Sequence, residues 1–487
     1  MTIDYEENEE LIERKICDDC IGEKFLSDLI HKEGEEDECF YCQEEGICIT
    51  LEELSDKIES AFDEHYEITA SEPNGFEYAM MKDKEISYDW EREGQETIYA
   101  IADAASVREE IAQDIQSILE YRHEDWDSAL AGLECKFSSD AHYEEIMPED
   151  HHWHSQWREF ENLIKTEARF FSRTAAAYLG DLFDEIDEMR THDGRTLIAD
   201  AGPETDITHL FRGRVFQSEK PLLESMKRPD QGLSAPPAWA AGAGRMNARG
   251  ISVFYGATSP EIALAEVRPP VGSRVAIARF EIIRPLRLLD LAAVAEVQER
   301  GSIFDSSYAH RLGRMVFLRT LSARMARPVM PDDQELEYLP TQAIADYLST
   351  EGRVPLDGIL FPSVQVGGDG VNAVLFHKAS RCEDLKIPDG TDLSANTYSM
   401  YEDGPEPDYY VWEEVPPDDE GPEKTSSRRS PLDIDEEWDG YFNSDTREVT
   451  LRVETDSVHV HEVAAIQIST HSHTVRRHRI EKREPPF

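Results

Sequence analysis

Two groups of side chains in this sequence have types and spacings suited to chemistry. The first is sulfur: Cys17 and Cys20 in "CDDC" and Cys39 and Cys42 in "CFYC", with 18 residues between the pairs. Each knuckle presents two thiolates to one ion, and four thiolates complete a tetrahedral shell, the pattern of a zinc site. Four protein ligands leave no open position for water, so this zinc is expected to be structural. Cys48 is near enough to substitute but is expected outside the shell. The second group is spread along the middle of the chain. It comprises Arg212 and Arg214 in "HLFRGRVF", Arg245 and Asn247 in "GRMN", Tyr255 in "ISVFYGA", Glu266 in "SPEIALAEV", and Ser363 and Asn372 in "GILFPSVQVGGDGVNAVLF". Arginine forks and glycine-loop amides are the donors that a pyrophosphate requires.

The elements carrying these residues follow from local pattern. Ser259 before Pro260 is a favoured helix start, with the hydroxyl as N-cap and proline in the first turn. Glu261 then only complements the helix dipole. Glu266, three and four residues after Ala263 and Ile262, shares their face, so an inward carboxylate is expected. Such a group needs either an arginine partner or a ligand. Arg212 and Arg214 fall on one side of an expected strand. The stretches "RVAIARFEII", "GILFPSV" and "NAVLF" read as further strands.

Apolar periodicity makes residues 51–195 helical, in runs such as "LEELSDKIESAFDEHY" and "WREFENLIKTEARFFSRTAAAYLGDLFDEIDEMR". The expected layout is a zinc-knuckle segment over 1–50, a helical module over 51–195 and a mixed α/β domain over 205–390. An acidic, proline-rich linker over 391–435 and a small β-hairpin extension over 436–487 follow. The histidines of "HHWH" at 151–154 read as a solvated loop. Those of "HVHEV" and "HSHTVRRH" read as strand alternation and exposed tail rather than as metal ligands.

The formal charge is −53, and it is uneven. Residues 207–390 hold 22 Lys and Arg against 21 Asp and Glu, leaving 27 against 81 for the rest. The acidic flanks argue against a general nucleic-acid binder, while the neutral segment can accept an anionic small molecule. No run of 18 apolar residues occurs, so no transmembrane helix is expected. The acidic N-terminus does not read as a secretory signal, and the expected compartment is the cytoplasm.

The ordered segments "FRGR", "GRMN…YGATSPEIALAEV", "YLPTQAIADYL" and "DGILFPSVQVGGDGVNAVLF" resemble the RES domain family over about 205–385. The resemblance implies an ADP-ribosyltransferase-like fold and toxins that consume NAD+ by phosphorolysis or hydrolysis, with inorganic phosphate as a possible co-substrate. It places the family's arginine on Arg212, with Arg214 as alternative, its glutamate on Glu266 and its serine on Ser363. Arg245, Asn247, Tyr255 and Asn372 fall in the substrate-binding segments. Methionine stands at Met246 where the family usually has tryptophan, which puts a stacking contact there in doubt. An antitoxin or other regulatory protein is the partner the resemblance implies, and self-association stays open. The N-terminal part is similar to the HEPN/RES N-terminal module. No histidine has an arginine five residues before it, so the Arg-x4-His pattern of HEPN ribonucleases is missing. Two rival readings are an ADP-ribosyltransferase acting on a macromolecule and a non-catalytic, zinc-containing interaction module.

Overall fold

The computed structural model describes residues 5–83, 87–123, 134–147, 151–327, 329–363, 370–417, 445–467 and 470–479. Two compact units partition the chain: Met1–Thr196 with Ala293–Arg324, and Leu197–Ala292 with Met325–Phe487. This division differs from the blocks expected from sequence, because residues 293–324 join the first unit rather than the 205–390 block.

In the first unit, strands β1 (Lys15–Cys17), β2 (Glu35–Glu38) and β3 (Glu45–Thr50) form an antiparallel sheet in the order β1-β3-β2. Helix α1 (Lys24–Glu33) lies between β1 and β2 in sequence, and α2 (Leu51–His65) follows β3. The start of α2 is set by a capping box: Thr50 Oγ1 accepts from the Glu53 N–H, and the Glu53 carboxylate accepts from the Thr50 N–H. The run "ETIYAIADAASVREEIAQDIQSILEYR" splits into α3 (Thr97–Ala105) and α4 (Glu109–His123), because Ser106 turns left-handed at φ 50°. Leu26, Ile30, Leu54, Ile58, Ile101, Ile115 and Leu119 close one core. Short strands at 66–68, 95–96 and 142–145 pair within this unit, so it is helical with small sheets rather than a pure bundle.

The "HHWH" tract is not a loop. It begins α5 (His151–Asn162), and the apolar spacing of Trp153, Trp157 and Phe160 buries that face. His152 and His154 make ring contacts with His310 and Phe317. Helix α6 (Arg173–Leu182) follows, started by the Ser172 hydroxyl accepting from the Ala175 N–H.

The second unit is built on an eight-stranded mixed sheet. Its strands are β4 (Ile198–Ala201), β5 (His209–Phe216), β6 (Phe254–Ala257), β7 (Arg274–Ile282), β8 (Leu286–Asp290), β9 (Gly358–Pro362), β10 (Val371–Leu375) and β13 (Leu451–Glu462). Their order is β13-β7-β5-β6-β10-β9-β8-β4, with β8 and β9 the parallel pair. Helices α7 (Glu219–Lys227) and α8 (Pro260–Glu266) complete the elements near the site. One layer packs Leu210, Phe216, Phe254, Ala278 and Phe280 below the sheet. On the other face α8 sets Ile262 and Ala263 against Phe211, Val215, Val275 and Ile277.

Two expectations at the C-terminal end need correction. Residues expected in a linker form a two-stranded hairpin, β11 (Asp392–Tyr401) with β12 (Gly404–Glu414). The expected terminal hairpin is instead the single strand β13, which pairs with β7 at the sheet edge. The edge of the main sheet at β7, far away in sequence, is its partner in place of an adjacent segment. His459 and His461 are on this strand, and residues 470–479 are exposed and without regular structure.

Candidate functional site

The site begins with a fault in the sheet. Strand β6 pairs fully with β10 but meets β5 at one position, Ala257 opposite Phe211. Beyond that rung the strands part, and the Arg212 guanidinium spans the gap to donate to the Tyr255 carbonyl at 2.8 Å. A side chain here satisfies a carbonyl that a complete ladder would serve from its backbone. Arg212 also lies 5.1 Å from the Phe254 ring centroid, and no described carboxylate forms an ion pair with it. Burial, and then repulsion from Arg214, lower its pKa to about 10, so it remains a cation at neutral pH.

A cleft of about 130 Å³ opens at this fault, lined among others by Arg212, Tyr255, Glu266, Val267, Phe361 and Asn372. Helix α8 brings Glu266 here. Ser259 caps its start as expected, accepting from the Ile262 N–H, with Pro260 in the first turn. Gly213 lets the helix lie close, since a Cβ there would meet the Ala263 carbonyl at 3.1 Å. The inward Glu266 expected from spacing is corrected: it is the last helical residue and is exposed at the cleft rim. The last turn lies beyond the apolar contact that buries Ile262 and Ala263. Its partner is an amide, not an arginine, for Asn372 Nδ2 donates to Glu266 Oε2 at 3.2 Å. Asn372 itself is only 2% exposed, and its Oδ1 is buried without a hydrogen-bond partner among the described residues.

The "GRMN" segment supports the cleft from behind. Asn247 is buried and donates to the carbonyls of Gly242, Ala248 and Ile251, while its Oδ1 accepts from the Tyr255 hydroxyl at 2.9 Å. The Met246 N–H donates to the same hydroxyl. Burial raises the Tyr255 pKa to about 12, which keeps it a neutral donor. Gly244 is required by this knot: a Cβ would lie 2.5 Å from both Asn247 Oδ1 and Tyr255 Oη. Met246 is 2% exposed and therefore fills core space.

The remaining predicted residues lie elsewhere. Arg245 donates to the Met325 carbonyl and lies 6.0 Å from the Tyr338 ring centroid, so it anchors the loop and is not among the cleft-lining residues. Arg214 is exposed and donates to the Gly232 carbonyl. Ser363 is buried just past β9, its N–H bonded to the Gly370 carbonyl, and it is not among the lining residues. Residues 364–369 of the glycine loop lie outside the described residues. Sequence reasoning missed Thr341 and Gln342, which donate to the Arg245 and Gly244 carbonyls, and the cleft walls Phe361 and Val267. Only the polar "TQ" inside "YLPTQAIADYL" signalled the first two.

The sulfur group does converge. The sulfurs of Cys17, Cys20, Cys39 and Cys42 all lie within 4.8 Å of one another. Cys17 and Cys42 are 3.6 Å apart, and Cys20 and Cys39 are 3.8 Å apart. Four sulfurs about 2.3 Å from one ion would be spaced by roughly 3.8 Å, so these thiols could hold a tetrahedral metal. Cys48 is buried outside the shell, directed to the Asp37 carbonyl. A separate cavity of about 530 Å³ in the first unit, between α1 and α2, contains none of the predicted site residues.

No helix among the described residues is long and apolar enough to cross a membrane. No curated protein and no solved structure matches the chain. Residues 222–396 match the sequence model of one family. That range contains Arg245, Asn247, Tyr255, Glu266, Ser363 and Asn372 and begins after Arg212 and Arg214. The family matched over this segment is the RES domain.

Proposed function

We propose that this protein consumes NAD+, cleaving its nicotinamide–ribose bond with phosphate or water as acceptor. The RES family is linked to NAD+-related toxin activity. The observation that carries the reading is the cleft itself, where a carboxylate meets an arginine and a buried amide oxygen that have, among the described residues, no acidic partner and no hydrogen-bond partner respectively. Its volume is below the roughly 300–1,000 Å³ of typical ligand pockets, so it takes one end of a dinucleotide. We assign the nicotinamide–ribose end to it.

In the reaction the glycosidic C–N bond breaks and its electron pair leaves with nicotinamide, which departs neutral. The ribose becomes oxocarbenium-like, and Glu266 at the rim stabilises a charge that exists only in the transition state. Phosphate attack at the same carbon gives ADP-ribose phosphate. Water attack gives ADP-ribose and releases a proton. Arg212 holds the pyrophosphate, with Arg214 the second cation along β5, and fixes the reactive pose. Tyr255 presents its ring to the nicotinamide, held by Asn247, which acts as a positioning residue. Asn372 orients Glu266 through Nδ2 and offers Oδ1 to the substrate. Ser363 and Arg245 act from outside the cleft, Arg245 by anchoring the loop. The four cysteines would hold a structural zinc ion, which would supply stability.

The test is NAD+ loss and product mass for wild type, Glu266→Gln and Arg212→Ala, in buffers with and without phosphate. Glu266→Gln is expected to lose on the order of 10²–10³ in rate, the scale of deleting one electrostatic stabiliser. Arg212→Ala is expected to lose a comparable factor. Undiminished turnover in Glu266→Gln would rule out its role.

A further inference from the structure

The hairpin β11–β12 has one covered and one open face. Ala395, Tyr409 and Val411 pack toward the core below the sheet. The register places Asn396 opposite Tyr410, Ser394 opposite Trp412 and Tyr398 opposite Pro407 on the other face. There Tyr398, Met400 and Trp412 are 51%, 72% and 66% exposed. Tyr410 and Trp412 meet edge to face, and Asn396 Nδ2 donates to the Tyr410 hydroxyl. Isolated apolar residues on a surface are ordinary, but a row of aromatic rings along one strand pair is a recognition surface.

Its charge specifies what it recognises. Between Lys386 and Lys424 there is no Lys or Arg, and there are twelve Asp or Glu. Aromatic faces framed only by carboxylates attract guanidinium groups through both the ring quadrupole and the ionic field. The same unit carries such a segment. From Val463 to Arg479 there is no Asp or Glu, and Arg476, Arg477 and Arg479 stand together beside Val475, which is 91% exposed. The segment starts beside the hairpin, because the Tyr409 hydroxyl on β12 donates to Glu462 Oε1, at the end of β13, at 2.6 Å. Fourteen residue steps lead from Glu462 to Arg476, a reach of roughly 46–50 Å when extended. A strand of eleven residues such as β12 spans only about 36 Å. Tethering at this distance makes docking an intramolecular event with a high effective concentration.

We propose that the open face of the β11–β12 hairpin is the docking surface for this chain's own arginine segment, Val475–Arg479. The arginines stack on Tyr398, Tyr410 and Trp412 while Asp392 and Glu414, which oppose each other on that same face, supply the countercharge.

The test is limited trypsin digestion of the full chain at low ionic strength, with cleavage after Arg476, Arg477 and Arg479 timed by mass spectrometry. A free peptide of residues 470–487, which contains all three bonds, gives the undocked rate in a parallel digestion. Cleavage in the chain is expected to be on the order of fivefold slower than in the peptide, the size of one or two exposed cation–π contacts. Trp412→Ala combined with Tyr398→Ala, or 0.5 M salt, should bring the rate to that of the peptide. Trp239→Ala, which removes another exposed tryptophan of the same unit, should leave protection intact. Equal cleavage of wild type, hairpin variant and peptide overturns the proposal, as does protection that survives the hairpin substitutions. Protection that grows with protein concentration assigns the surface to a second copy and overturns the intramolecular arrangement.

Discussion

The thiol cluster and the cleft at the split sheet solve opposite problems with similarly few residues. At Cys17, Cys20, Cys39 and Cys42 all four sulfurs turn toward one another, within 4.8 Å. At the cleft the polar groups are tied on one side only. Glu266 has Asn372, Arg212 has a carbonyl, and Asn372 keeps one buried oxygen without a partner among the described residues. Buried polar groups are normally satisfied, so an unsatisfied one beside an opening marks a place for a ligand, whereas a completed shell marks a place for stability. The comparison separates what a site binds permanently from what it exchanges.

The largest expected effect tests the closed member of this pair. Chelation of zinc, or Cys39→Ser, should abolish the cooperative thermal transition of the first unit, because metal binding in small modules of this kind is worth about 10–16 kcal/mol at neutral pH. Released metal measured against protein should approach one ion per chain. A transition unmoved by chelation would show that the four thiols stand without an ion. The next effect sharpens the open member. Tyr255→Phe leaves Asn247 Oδ1 and the Met246 N–H without their shared hydroxyl, at a cost of about 1–3 kcal/mol. In a unit of this size each kcal/mol lowers Tm by about 2–4 °C, readable by calorimetry. An unchanged Tm would mean the hydroxyl is not part of the scaffold.

The smallest effect lies away from both sites. Arg447 holds Asp445 through two side-chain hydrogen bonds and one from its backbone N–H, and pulls its pKa down to about 2. A carboxylate depressed in the folded state stabilises fully above its ordinary pKa and loses that contribution as pH falls through the folded value. Asp445→Asn should therefore cost stability at pH 6 and nothing near pH 1.5. The pair is partly exposed, so after solvent screening the difference is about 1 kcal/mol or less. Urea titrations at the two pH values read it directly.

Local signals in the sequence carried furthest where one short stretch determines the outcome. The N-cap and first turn of "SPEIALAE" are set by three residues, and the cysteine knuckles by two pairs. The split between β5 and β6 was hidden because strand pairing depends on partners far along the chain. Spacing put Glu266 on the face of Ile262 and Ala263 but could not reveal that the helix ends there. Residues 392–414 looked like linker because their prolines and carboxylates outweighed the alternation of Tyr398 with Met400 and Tyr410 with Trp412. Proline is tolerated there because a two-stranded sheet is all edge. The strand 451–462 was evident as a strand, yet its choice of β7 over a hairpin partner rested on an edge that only the assembled sheet supplies.

The lone rung between Ala257 and Phe211 has a mechanical consequence. Across the seam between β5 and β6 the polar connections are a single ladder step and one guanidinium latch, and the rest is side-chain packing such as Phe254 against Phe280. Widening the slot therefore breaks hardly any backbone bonding, and an anion that draws Arg212 off the Tyr255 carbonyl would unfasten the latch as it enters.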